Sequence, residues 1–208
     1  MIGAPKMNRV WAMPNADTME IDPVHQLVLR YVQPNMESVD PFARNCRIAK
    51  WRNDLNPDTL AEFHLDAAEF LRMVQSKVAA DIVLFDPPYS RQQVKQVYNG
   101  VGRHYGIADS QAHSANWREE RNVVNDMLKV GGIVISFGWN TSGMGLGRLY
   151  EIVEILCVCH GGAHNDTLVT VERKVAHQMS LFGAQQFVES GATDKQQPQP
   201  ENATALAE

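Results

Sequence analysis

The chain of 208 residues has the length of one domain, or of one domain with a tail. Hydrophobic residues at 44% and charged residues at 21% sit near globular averages and exclude wholesale disorder. With 19 Lys and Arg against 24 Asp and Glu, the net charge is −5, which excludes a generic basic coat for nucleic acid while leaving local basic patches open.

In chain order, Asp22-Pro23 reads as an N-cap followed by Pro at the first helical position, opening a helix to about Val32. Met36 to Phe42 holds a short strand ending at Asp40, and Trp51-Arg52 ends another at Asp54. Ala61 to Leu65 stops at Asp66, which can cap a helix from Ala67 to Val74. Asp81 to Phe85 is a short apolar run halted by Pro87-Pro88, the pattern of a buried central strand. Arg91 to Arg121 is polar, basic and aromatic, and a helix ending near Leu128 follows. Gly131-Gly132 then leads into a strand from Ile133 to Phe137. Ile152 to Cys159 and Thr167 to Glu172 read as strands joined by a Gly-Gly turn. Strands alternating with helices and closing in a hairpin predict an α/β fold, with a mostly parallel sheet and one antiparallel strand.

After about Gly183 the composition shifts to Gln, Ala, Glu and Pro. Phe187, Val188 and Leu206 are too few large apolar residues to bury a core, so this stretch is expected to be disordered. We therefore divide the chain into a domain over 1–177 and an acidic, Gln-rich tail over 178–208. An odd count of 3 Cys, with no apolar leader and no membrane-length apolar run, predicts a soluble, cytoplasmic protein without a disulfide framework.

Asp86-Pro87-Pro88-Tyr89 follows the apolar strand directly, where open α/β sheets bind ligands. The prolines fix the chain as it leaves the sheet. A carboxylate, a carbonyl and an aromatic ring then suit a planar base bearing an amine. Asp86 accepts one amino hydrogen, the Pro87 carbonyl accepts the other, and Tyr89 stacks on the ring. The alternative is that Pro-Pro simply ends a core strand.

These residues resemble motif IV of the S-adenosylmethionine-dependent DNA amino-methyltransferases, which modify adenine N6 or cytosine N4, and the chain resembles a small phage or prophage form. Val39-Asp40-Pro41-Phe42-Ala43 resembles motif I, although Ala43-Arg44-Asn45 stands where the family continues Gly-x-Gly. Asp54 lies where the family places an acid on the ribose, and Asp66-Ala67 where it places an Asp on the cofactor adenine. Both acids can also be read as plain caps. Met13-Pro14 with Thr18 resembles motif X, at the methionine end of the cofactor. The resemblance spans about residues 10 to 175 and implies a three-layer Rossmann-like methyltransferase fold. It assigns Asp86, Pro87, Pro88 and Tyr89 to catalysis, and Met13, Pro14, Thr18, Asp40, Pro41, Phe42, Ala43, Asp54, Asp66 and Ala67 to the cofactor. It implies methyl transfer to adenine N6 in double-stranded DNA, with a flipped base, inside a bacterial or phage-infected cell. Cytosine N4, guanine N2 in RNA, and a catalytically silent nucleic-acid-binding module stay as alternatives. Cytosine C5 chemistry needs a Cys nucleophile, and no Pro-Cys pair exists.

Arg91, Lys95, Arg103, His104, Tyr105 and Arg118 are the candidate nucleic-acid contacts, with Tyr98, Trp117 and His113 interleaved. Cys157, Cys159, His160 and His164 match no standard zinc spacing, and no metal is assigned. Gln178-Met179-Ser180-Leu181-Phe182 resembles the peptide that docks on the bacterial sliding clamp, with Gln178, Leu181 and Phe182 as the contacts.

Overall fold

A computed structural model describes residues 4–103, 117–145, 147–162 and 164–176. His104, Tyr105, His113, Gln178, Leu181, Phe182 and the Ala184–Glu208 stretch lie outside the described residues.

The elements are β1 (Lys6–Trp11), a short 3-10 turn (Thr18–Glu20), α1 (Asp22–Tyr31), β2 (Ser38–Asp40) and β3 (Trp51–Arg52). They continue with α2 (Ala67–Gln75), β4 (Ala80–Phe85), α3 (Arg91–Gly100), α4 (Arg118–Met127), β5 (Leu128–Gly138), β6 (Tyr150–Cys159) and β7 (Thr167–Lys174). The sheet runs β1-β6-β7-β5-β4-β2-β3. A single bridge from Asn53 to Phe63 extends it past β3. β7 pairs antiparallel with both β5 and β6, and the other pairings are parallel.

Two cores cover the two faces, which makes the architecture three-layered. Val83 and Phe85 of β4 join Phe70, Leu71 and Val74 of α2 and Val123, Val124 and Met127 of α4. Ile82 and Leu84 point the other way, towards Val24, Leu27 and Val28 of α1. A strand with both faces buried must be apolar throughout, which is why β4 carries no alternation.

Two predicted boundaries change, and one strand is new. Asp22 is the first helical residue of α1 rather than its cap, and Ile21 takes the cap position. β5 begins at Leu128, not after the Gly pair. Ala80 faces Leu128 and Ile82 faces Ile133, so Lys129 to Gly132 bulge out of the ladder. Gly131 stands at φ +83 there, and a Cβ on Gly132 would press on Leu128 and the Lys129 carbonyl. β1 was not expected at all. Its Lys6, Asn8 and Arg9 make it look like a polar terminus, and its partner strand lies far along the chain.

Buried Asp40 and Glu172 and half-buried Asp86 shape the pH response of the fold. Burial pushes Asp40 up to about 8, helped by the nearby Asp86 and Asp54 charges, although the Phe42 N–H donates to its Oδ1 at 3.0 Å. Burial likewise pushes Asp86 up to about 6 and Glu172 up to about 7. An acid whose folded pKa is raised stabilises the fold below its unfolded pKa and loses that contribution as pH rises through the folded value. Thermal stability should therefore fall between pH 5 and 8, at about 1.4 kcal/mol per pH unit for each titrating group. Asp40→Asn keeps the acceptor for Phe42 and should flatten the limb towards pH 8. Melting curves across this range check both expectations, and a wild-type melting temperature that rises towards pH 8 would contradict them.

Candidate active site

The loops at the carboxyl ends of β2, β3 and β4 open onto a cleft of about 900 Å³. Pro14, Thr18, Pro41, Phe42, Asp54, Asp66, Ala67, Asp86, Pro87, Pro88 and Tyr89 line it, so eleven of the residues assigned from sequence to catalysis or cofactor converge.

The tetrapeptide is held from both sides. The Tyr89 hydroxyl donates to the Asp86 carboxylate and lies 3.4 Å from the Thr18 hydroxyl. Burial raises the Tyr89 pKa, and the Asp86 charge adds to it, so the phenol keeps its proton. The Trp117 indole donates to the Pro88 carbonyl at 3.2 Å, which leaves that bond off the Pro87 carbonyl. α3 begins with a capping box. Gln93 N–H donates to Ser90 Oγ at 3.2 Å, while Gln93 Oε1 accepts from Ser90 N–H at 3.1 Å and from Tyr89 N–H at 2.7 Å. The sequence signal for this cap is the Ser-x-x-Gln spacing of Ser90 and Gln93. Trp139, at the end of β5, meets the Tyr89 ring edge-on at 5.6 Å.

Across the cleft, Asp54 accepts the Arg44 N–H at 3.1 Å and the Asn56 N–H at 2.9 Å. Asp66 caps α2 by accepting the Ala68 N–H at 3.1 Å and takes the Tyr98 hydroxyl at 2.8 Å. Both acids therefore serve as caps and also line the cleft. Each carboxylate oxygen can accept a second bond. Asn53 ties this wall together, donating to the Pro41 and Leu65 carbonyls at 3.1 and 3.0 Å.

The loop after β2 makes a glycine-like turn without glycine. Arg44 sits at φ +47, in the left-handed region. Its guanidinium pairs with Asp17 at 2.6 Å, joining this loop to the N-terminal segment. No helix fits between Asp40 and Trp51, and turns fill the interval.

Several expected residues stand elsewhere. Asp40 is 1% exposed and turned into the fold, where Phe42 N–H satisfies it; it does not line the cleft. Ala43 is buried, with its N–H donating to the Asn53 carbonyl at 2.8 Å. Met13 is exposed outside the lining. Arg91, Lys95, Arg103 and Arg118 are exposed and also outside it. Trp117 is buried against Phe42, with ring centroids 5.1 Å apart, so it builds the cleft wall rather than a stacking surface. Arg44, Asn53, Trp139, His160 and His164 line the cleft without having been assigned to it.

No family model matches the sequence, and no curated protein matches it. Among solved structures, TrmN from Thermus thermophilus aligns at 18% identity with a TM-score of 0.50, over 74% of this chain and 49% of its own. NSun6 from Pyrococcus horikoshii aligns at 13% and 0.49, over 78% and 53%. An rRNA methylase from Streptococcus thermophilus aligns at 13% and 0.47, over 79% and 100%. The chain has the Rossmann-like methyltransferase fold. It spans about half the length of the first two neighbours. No helix among the described residues is long and apolar enough to cross a membrane.

Proposed function

We propose that the protein is an S-adenosylmethionine-dependent methyltransferase acting on an exocyclic amine of a nucleic-acid base, first of all adenine N6 in DNA. The supporting observation is that Asp86, Pro87 and Tyr89 face the same cleft as Asp54 and Asp66. One side of the cleft thus offers acceptors for an amine, and the other offers acids for a nucleoside.

The residues present fit that cofactor. Asp54 would take ribose hydroxyls and Asp66 the adenine amine, each beside the backbone N–H it already accepts. Phe42 and Pro41 would flank the adenosine, and Pro14 and Thr18 the amino-acid end. Arg44 brings a guanidinium beside that segment, suited to a carboxylate. When bound, the cofactor supplies a methyl group on a sulfonium. Asp86 and the Pro87 carbonyl would each accept one hydrogen of the target amine, turning its lone pair out of ring conjugation. Asp86 then holds the departing proton or passes it to water.

The deciding experiment offers unmethylated duplex DNA and total RNA in parallel with the labelled cofactor. Digestion to nucleosides and mass analysis identify the product. N6-methyladenine in DNA is expected. N4-methylcytosine would keep the amine chemistry and change the base, and methylguanine in RNA would move the substrate. No product, together with no cofactor binding by calorimetry, would overturn the reading.

A further inference from the structure

β6 and the turn after it carry a cluster outside the cleft chemistry. Cys157 and Cys159 alternate with Leu156 and Val158, which are buried in the α1-side core. The two thiols therefore point to the opposite side of the sheet, with their Sγ atoms 3.8 Å apart. Asp166, just before β7, brings a carboxylate oxygen so that all three ligand atoms lie within 4.8 Å of one another. The His160 N–H donates to Asp166 Oδ1 at 3.2 Å and holds that carboxylate across the hairpin mouth.

We propose that Cys157, Cys159 and Asp166 form a binding site for a thiophilic divalent cation, zinc above all. Two thiolates each about 2.3 Å from a tetrahedral zinc lie about 3.8 Å apart, which is the spacing the strand already provides. Asp166 is exposed, with a carboxylate oxygen within 4.8 Å of both sulfurs. Water completes the fourth position. The alternative fate of the pair, a disulfide, is disfavoured by the backbone. Residues two apart on an extended strand have Cα atoms about 6.6 Å apart, at the far end of the disulfide range.

The neighbourhood supports cation binding. Arg9 on β1 stands opposite Cys157, and its Nε donates to Cys159 Sγ at 3.0 Å. Two thiolates and one carboxylate carry three negative charges. A divalent ion and the Arg9 guanidinium together neutralise them, and the Arg9 bond orients one ligand as outer partners do in metal sites. Met7 and Trp11, on the same side of β1, are 72% and 66% exposed, so an ion reaches the site from solvent. His160 is not a ligand. Its Nδ1 lies 2.9 Å from the Ala12 carbonyl and its Nε2 2.8 Å from the Thr167 hydroxyl.

The sequence pattern misled because it offered histidines as partners for the cysteines. The ligand that topology delivers is Asp166, from across the turn. An ion there would bind both ends of the 157–166 hairpin and fix the turn that brings His160 and His164 to the cleft lining. The site stands independently of the proposed reaction.

The test uses the full chain, stripped with chelator and kept reduced by a phosphine, titrated with cobalt(II). We expect a thiolate-to-cobalt charge-transfer band that saturates at one ion per chain and is displaced by zinc. Cys157→Ser and Cys159→Ser should each abolish it, and Cys46→Ser should leave it unchanged. Asp166→Asn should weaken binding by roughly tenfold or more. Zinc should raise the melting temperature of wild type and not of the Cys157→Ser/Cys159→Ser double variant. No charge-transfer band in wild type overturns the proposal whatever the variants do, and so does a band that survives in the double variant. Metal-free melting curves confirm that the variants fold.

Discussion

Asp86→Ala is expected to lower methyl transfer by about 10³-fold while leaving cofactor affinity within a few-fold of wild type. The carboxylate is an acceptor aimed at the hydrogens of the reacting amine, so its loss is felt most where charge develops. Asp86→Asn keeps an oxygen acceptor in the same place and should retain more activity than the alanine variant, with a deficit of roughly 10- to 100-fold. This ordering separates an acceptor from an obligatory base, which would fail equally in both variants. The wild-type rate should rise as pH increases through about 6, because burial pushes the Asp86 pKa up to about 6 and the ionised form is the better acceptor. The asparagine variant should lose that rise. Single-turnover rates across pH 5 to 8 give all three comparisons. Equal loss in both variants, or a pH profile unchanged by Asp86→Asn, would remove Asp86 from the role assigned to it.

Gly143→Ala should be the most damaging small substitution among the described residues beyond β5. Gly143 stands at φ +48, and a Cβ there would overlap the Glu172 carboxylate. That carboxylate is not a yielding tip. Glu172 is 5% exposed, and its Oε2 accepts the Met144 N–H at 2.7 Å. Left-handed backbone costs an alanine about 1–2 kcal/mol. Driving the carboxylate off leaves a buried N–H unsatisfied, at about 1–3 kcal/mol more. The melting temperature should fall by roughly 5–15 °C for a domain of this size. The double variant Gly143→Ala/Glu172→Ala removes the overlap and should not fall further than the single one. A drop of under 2 °C in the single variant would show that the loop simply moves aside.

The fold and half of the cleft were legible because their signals are local. β4 announces itself as an apolar run stopped by Pro-Pro, and Asp54 and Asp66 announce the ends of the segments before them. The hairpin of β6 and β7 shows its alternation and its glycines. The remaining cleft residues give no local signal. Trp117 sits in a basic stretch and looks like a stacking ring, yet its indole is drawn inward by the Pro88 carbonyl and the Phe42 ring. Trp139 and His160 reach the cleft only because β5 and β6 end at the same side of the sheet as β4. Arg44 hid its role for a different reason. A left-handed turn normally selects glycine, and here the strain is borne by a residue whose side chain gains an ion pair. Asp40 misled in the opposite sense: the position matches, but the Phe42 N–H turns the carboxylate into the fold.

The parallel pairing of β1 with β6 changes what kind of object the cleft's N-terminal wall is. Without β1, residues 12 to 21 would be a loose arm hung from α1. With it, they are a short bridge with both piers fixed: Ala12 N–H on the Cys159 carbonyl at one end, and α1 in the core at the other. A bridge of about ten residues samples far fewer shapes than a free end of equal length. The Thr18 hydroxyl therefore arrives at the cleft largely pre-placed, with Asp17 beside it holding the Arg44 guanidinium. Ligand binding is spared the entropy of catching a swinging arm. An apparently dispensable edge strand thus acts on the site at a distance, by shortening the leash of the segment that closes it.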